Sequence, residues 1–147
     1  VSLGKFVIPN PFGPFEEPRF TAYLIKNWFE GKTPSCATPA YIRDNIPVSL
    51  LAKAYVPFVA GLPENPGFTR INPIGYAESQ GDFALRVARE MRPRLNLPCE
   101  VELKKQTAFP EPYVRINTDI LDADALGWDE SAAWDAMAEY YLRGRSA

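Results

Sequence analysis

Fifteen prolines in 147 residues set the length of element this chain can build. Each proline removes a backbone donor and interrupts a helix interior or a central strand. Only short units fit between them. The densest stretch, "NPFGPFEEPRF" (10–20), places three prolines and a glycine at the exit of "GKFVIP" (4–9). A short apolar run stopped by proline predicts a buried parallel strand. Asn10, held between Pro9 and Pro11, is the one side chain in the exit with both a donor and an acceptor. A rigid exit suits a side chain that must point one way.

The remaining units follow from spacing. Pro18 suits an early helical position, Phe20, Tyr23, Leu24 and Trp28 recur at helical steps, and Gly31 provides a C-terminal cap. "TPSCATPAYI" (33–42) reads as a loop or short strand. In "RDNIPVSLLAKAYVPFVAG" (43–61), Val48, Leu51, Tyr55 and Phe58 mark an amphipathic helix that Pro57 should kink or end. "FTRIN" (68–72) alternates as a strand, and Ser79 caps a helix carrying Phe83, Val87 and Met91. "EVELK" (100–104) predicts a strand with Val101 and Leu103 inward. A last helix starts near Asp129, buries Trp134, Met137 and Tyr141, and ends at Gly144. The order is strand, helix, helix, strand, helix, strand, helix. That is mixed α/β, with a first strand that lacks a partner nearby in the sequence.

Composition narrows the chemistry. With no histidine, the Ser-His-Asp and Cys-His triads and histidine metal sites are excluded. Two cysteines cannot build a structural zinc site, and no metal is expected; Cys36 and Cys99 are expected as free, partly buried thiols. A net charge of -2 with interspersed signs gives no field for nucleic acid. No apolar run approaches the roughly 20 residues that cross a bilayer. The opening residues lack the pattern of a signal peptide, so a cytoplasmic protein is expected.

Four stretches then form a pattern: "VIPNPFGP" (7–14), "YIRDNIPVSLLAKAY" (41–55), "RINPIGYAESQGDFA" (70–84) and "LGWDESAAWDAMAEYY" (126–141). In this order they resemble the C-terminal half of an extended short-chain dehydrogenase/reductase, of the NAD-dependent epimerase/dehydratase family. Asn10, Phe12, Gly13 and Pro14 match the family's Asn-x-aromatic-Gly-Pro strand end. Arg43, Asp44 and Ile46 match an Arg-Asp segment opening a helix. Asn72, Pro73 and Gly75 loosely match a later turn, and Leu126, Gly127 and Trp128 match the step before the last helix.

The resemblance implies a partial Rossmann-like unit, with one core parallel strand, joined to a small mixed α/β substrate domain. Residues 1–14 would be the last part of the core strand and its exit turn, and 15–147 the substrate-binding domain. It further implies that Asn10 and Arg43 face the diphosphate of a nucleotide sugar, that Arg115 is a second phosphate contact, and that Pro9 lies against the cofactor, NAD or NADP in the parent enzyme. Plain alternatives stand beside these roles: a turn asparagine bonding local backbone, an Arg43 paired with Asp44 or another acid, and a surface Arg115. Neither Asn10 nor Arg43 is asked to fill the core, so replacing either is expected to cost affinity rather than stability.

The departures matter as much. No Gly-x-x-Gly-x-x-Gly turn is present to receive a pyrophosphate at a helix N-terminus. No tyrosine is followed four residues later by lysine at the family's place, and "YLIK" (23–26) is expected to be a helix face. Pro47 stands where the family has a histidine or polar residue, and Ala108 and Phe109 where it often has an arginine. The chain is therefore expected to be the substrate-binding portion of an epimerase- or dehydratase-like oxidoreductase, inactive alone and without affinity for the cofactor. Its expected partners are a nucleotide-sugar-type molecule, the missing N-terminal Rossmann half and a second copy of itself. The other function class is a stand-alone, non-catalytic module that binds a ligand or a protein.

Overall fold

The structure, a computed structural model, describes residues 1–146. Its elements are β1 (Ser2–Phe6), β2 (Asn10–Phe12), α1 (Phe20–Phe29), β3 (Ser35–Cys36), β4 (Ile42–Pro47), α2 (Val48–Gly61), β5 (Gly67–Ile71), β6 (Tyr76–Ser79), α3 (Gln80–Leu95), β7 (Glu102–Leu103), β8 (Val114–Arg115) and α4 (Glu130–Ser146). The mixed α/β class holds, with strands shorter and more numerous than spacing alone suggests.

The first strand is displaced from the predicted 4–9 to Ser2–Phe6, and it has a partner. β1 pairs in parallel with β5, Ser2 opposite Gly67 through Phe6 opposite Ile71. The single core strand is thus one of a parallel pair, with α2 as the crossover between them. α2 covers one face: Phe6 meets the rings of Tyr55 at 5.2 Å and Phe58 at 5.5 Å. A Cβ added to Gly4 would lie 2.7 Å from Leu62 Cδ2, so the bare backbone allows this close packing. On the opposite face Leu3 and Phe68 are paired and exposed.

A second sheet has β4 at its centre. β6 runs antiparallel along one edge from Ile42 to Asn45. The other edge is shared in parallel by β8 at Ile42–Arg43 and β2 at Asn45–Pro47. "RDNIP" therefore forms a buried central strand and does not open a helix. The helix begins only at Val48, where Pro47 supplies no side-chain cap. Tertiary pairing on both edges of β4 overrides the helical reading of the segment.

α2 differs in face as well as in start. Leu50 and Ala54 are its buried residues, whereas Val48 and Tyr55 are exposed and Leu51 and Phe58 half-buried. Pro57 does not end it; the helix runs to Gly61. Pro57 and Lys53, whose carbonyl loses its helical partner, are both exposed, where solvent makes such a loss less costly than in a core. β7 shrinks to two residues paired with β3 at the surface, which leaves Leu103 exposed and only Val101 partly buried. β6 and β8 are strands that spacing did not reveal.

The core lies between the second sheet and α1, α3 and α4. Leu24, Ile25 and Trp28 of α1 meet Phe83, Val87 and Met91 of α3 and Trp134 and Met137 of α4. The predicted caps are in place. Ser79 Oγ accepts from the Asp82 N–H at 3.0 Å. Gly31 closes α1 at φ 71, with Gly31 N–H donating to Trp28 O and Lys32 N–H to Asn27 O, a Schellman arrangement. α4 starts after Asp129, whose carboxylate caps Ala132 N–H at 3.0 Å, but it continues past Gly144. Cys36 and Cys99 are free and fully buried, and burial pushes the Cys99 thiol up to about 11.

Gly75 marks the tightest crossing. A Cβ there would sit 2.6 Å from both Asn45 O and Ile46 Cα, backbone atoms of the central strand that cannot give way. Gly75→Ala is expected to lower stability by about 2 kcal/mol, the cost of overpacking against a fixed wall. A urea midpoint unchanged by the substitution would contradict that contact.

Candidate functional site

β4 alternates across its sheet. Arg43 and Asn45 face the helices, and Asp44 and Ile46 face the other way. Between the first face and α1 lies a cleft of about 470 Å³, floored by β2 and β4 and walled by the turn that leaves β2. Asn10 and Arg43, far apart in sequence, both line it. A smaller polar pocket of about 260 Å³ opens beside it, where β8 and β2 leave a gap along the edge of β4. Pro9, Asn10, Arg43 and Arg115 all line that pocket. The four residues singled out in the sequence are thus neighbours.

Arg43 is 8% exposed and densely held. Its guanidinium lies 4.3 Å over the Tyr41 ring. Nη1 donates to the carbonyls of Ile42, Pro112 and Tyr113 at 2.9–3.3 Å, and Nη2 to Glu111 Oε2 at 3.1 Å. The ion-pair alternative holds, with Glu111 rather than Asp44 as the partner. This correction extends to stability: a buried arginine that ties a distant loop to the central strand is part of the fold. Arg115 pairs with Arg43 through the backbone, and its side chain is exposed.

Asn10 is exposed, and its side chain makes no hydrogen bond to the described residues. The turn is tied by Glu16 instead. Glu16 N–H donates to Gly13 O at 3.1 Å, with Pro14 and Phe15 between, and Phe15 takes the left-handed φ of 63. The Glu16 carboxylate accepts from Gly13 N–H at 3.1 Å, from Thr21 Oγ1 at 2.5 Å and from the Tyr141 hydroxyl. Burial first, then the Glu16 acceptor, pushes the Tyr141 hydroxyl well above the ordinary tyrosine range. It stays protonated and serves as a donor. The Gly-Pro-x-Glu order was the available clue to this staple.

Asp44, the acid of the Arg-Asp segment, has a structural role that its motif does not announce. It is 2% exposed and binds two loops at once: Oδ1 accepts from Gly75 N–H at 2.7 Å and Oδ2 from Asn117 N–H at 3.1 Å. Asn117 Nδ2 in turn donates to Val7 O and Pro73 O, each at 2.9 Å. Burial raises the Asp44 carboxyl above its usual range, an effect that the two backbone donors oppose. The Leu-Gly-Trp step is likewise structural, since Trp128 Nε1 donates to Ser49 Oγ at 2.9 Å and joins the approach to α4 with α2. Tyr23 and Lys26 lie exposed on α1, as a helix face. Among the described residues no group of three or more acids or cysteines could hold a metal, and no helix is long and apolar enough to cross a membrane.

This combination defines a fold: a parallel strand pair with its crossover helix, joined to a mixed sheet under three helices, with a cleft at the exit of the first strand. The same fold occurs in UDP-sugar 4-epimerases. The chain is similar to the UDP-N-acetylglucosamine 4-epimerase of Methanobrevibacter ruminantium in complex with UDP-N-acetylmuramic acid, at 17% identity and a TM-score of 0.67 over 98% of this chain and 47% of that one. It is also similar to a UDP-glucose 4-epimerase from Stenotrophomonas maltophila with bound NAD and formylated UDP-arabinopyranose, at 14% identity and a TM-score of 0.66 over 100% of this chain and 50% of that one. A third is the UDP-glucose 4-epimerase of Thermotoga maritima with UDP-glucose, at 14% identity and a TM-score of 0.63. The likeness is one of fold, and the chain spans about half the length of these relatives. No family model matches the sequence. No curated protein matches it either.

Proposed function

We propose that this chain is the substrate-side, C-terminal half of a cytoplasmic NAD-dependent nucleotide-sugar epimerase or dehydratase, and that its cleft receives the nucleotide sugar. The observation that carries this reading is the meeting of Asn10 and Arg43 in one cleft of a chain with this fold. Arg43 supplies planar donors for a diphosphate. Asn10, with its amide free, contributes a neutral donor and acceptor, and Arg115 stands beside Arg43 as a second cation.

The cofactor does not fit the residues present. A dinucleotide needs a glycine-rich turn whose bare backbone approaches the pyrophosphate at a helix N-terminus. Among the described residues only Gly81 lies in the first turn of a helix, and a Cβ there would meet Pro39 Cβ at 3.0 Å. NAD would be held by the other half, with Pro9 at the boundary. In this reading β1, α2 and β5 continue the cofactor-binding sheet, and the rest forms the substrate lobe.

Titration calorimetry of the chain with UDP-glucose and with NAD tests the assignment. Heat of binding with UDP-glucose and none with NAD is the expected result. Micromolar NAD binding with no response to any UDP-sugar would overturn it. A second reading, a non-catalytic module that pairs with itself, is favoured by one observation: Leu3 and Phe68 lie bare on one face of a parallel strand pair, an arrangement normally covered on both faces.

A further inference from the structure

The charged side chains lining the cleft are already engaged. Arg43 is held by Glu111, Arg19 pairs with Glu17 at 2.7 Å, and Glu16 is saturated by Gly13, Thr21 and Tyr141. What the floor leaves open is neutral: the carboxamides of Asn10, Asn45 and Gln80. The parallel register puts Asn10 directly beside Asn45. Asn45 Nδ2 donates to Gln80 Oε1 at 3.1 Å, which links β4 to the first residue of α3.

That bond assigns the remaining roles. Asn45 is 6% exposed, and its Oδ1 accepts no hydrogen bond from the described residues, although no fully buried side-chain polar atom is left unsatisfied. The oxygen therefore reaches the cleft as an open acceptor. Gln80 Nε2 remains an open donor, and Asn10 offers one of each. An acceptor oxygen facing the cleft repels a phosphate oxygen. A hydroxyl, which donates and accepts at once, satisfies Asn45 Oδ1 and Gln80 Nε2 together. Arg43 and Asn45 stand two residues apart on one strand face, about 7 Å at 3.3 Å per residue, so a ring bound at the carboxamides lies next to an anion bound at Arg43.

We infer that Asn10, Asn45 and Gln80 form a carboxamide floor that binds an uncharged, hydroxyl-bearing ring, a saccharide, and that Asn45 and Gln80 select it. The inference deepens the nucleotide-sugar reading of the same cleft, and separate probes for the two parts keep their failures apart. Side-chain amide resonances of the isotopically labelled chain are followed while methyl α-glucoside and UDP are added in separate titrations. The glucoside is expected to shift the Asn45 and Gln80 carboxamides. Asn45→Leu and the isosteric Gln80→Glu are each expected to weaken glucoside binding by about ten-fold, the loss of one well-made hydrogen bond. UDP affinity should stay within about two-fold for Asn45→Leu. If one variant fails to fold, the other gives the reading. Glucoside shifts without UDP binding would sustain the floor and overturn the nucleotide assignment. UDP binding with no glucoside shift at these carboxamides, or variants that bind glucoside as the parent does, would overturn the floor. Silence with both probes would overturn both.

Discussion

Asp44→Ala is expected to lower the free energy of unfolding by about 3 kcal/mol, because it strips the acceptor from two backbone N–H groups whose desolvation costs about 1–3 kcal/mol each. The two donors belong to Gly75 and Asn117, so the loss loosens both crossings over the central strand. Asp44→Asn should cost less. One amide oxygen still serves one N–H, but the new NH2 confronts the other donor. The pH dependence has a definite sign. Burial raises the folded carboxyl above its usual 3.8, so the folded state binds a proton more readily than the unfolded chain. The resulting stabilisation is fully present below the unfolded value and is lost as pH rises through the folded one. The gap between the parent and Asp44→Asn should therefore be wider near pH 4 than near pH 7. Chemical denaturation at the two pH values checks this, and a gap that narrows on acidification would refute the burial account.

Arg43→Ala is expected to act on both binding and folding. Charge-assisted contacts are worth about 1.5–3 kcal/mol, so UDP-sugar affinity should fall roughly ten- to a hundred-fold. Stability should fall by about 2 kcal/mol, since three carbonyls and the face of Tyr41 lose their partner. The penalty stays moderate because Glu111, more than half exposed, is hydrated once released. Arg43→Lys should keep part of the charge effect and lose the forked geometry. Glu111→Gln should leave stability nearly unchanged and strengthen UDP binding, because it removes the anion that competes for Arg43. Calorimetry and thermal melts on the three variants separate these effects. A large loss of stability from Arg43→Ala with affinity intact would make Arg43 a structural residue only.

Where an element's own residues decide it, the sequence was sufficient. The caps at Ser79 and Gly31 and the helix start near Asp129 depend on a side-chain oxygen or a left-handed φ within a few positions, and all three are present. The core faces of α3 and α4 follow from 3.6-residue spacing, because helices over one sheet each bury a single stripe; that of α1 follows at Leu24 and Trp28, whereas Tyr23 is exposed. The meeting of Asn10 and Arg43 was legible only through resemblance, since no local rule connects two residues so far apart.

Residues 43–47 show what lay beyond the sequence. Their helical reading was overruled because β2, β6 and β8, from three separate parts of the chain, occupy both edges of β4. Strands of two to four residues carry too little periodicity to announce themselves, and their existence depends on a partner strand. The same holds for the roles of Asp44, Asn45 and Gln80, which follow from which backbone N–H or amide lies opposite. It holds again for the packing of Tyr55 and Phe58 of α2 against Phe6 of β1. Composition and spacing by themselves determined the mixed α/β class, the absence of histidine chemistry and the three core helices. The tertiary structure alone decided the strand pairing, the burial of Arg43 and the neutral floor of the cleft, because each depends on contacts between residues distant in the chain.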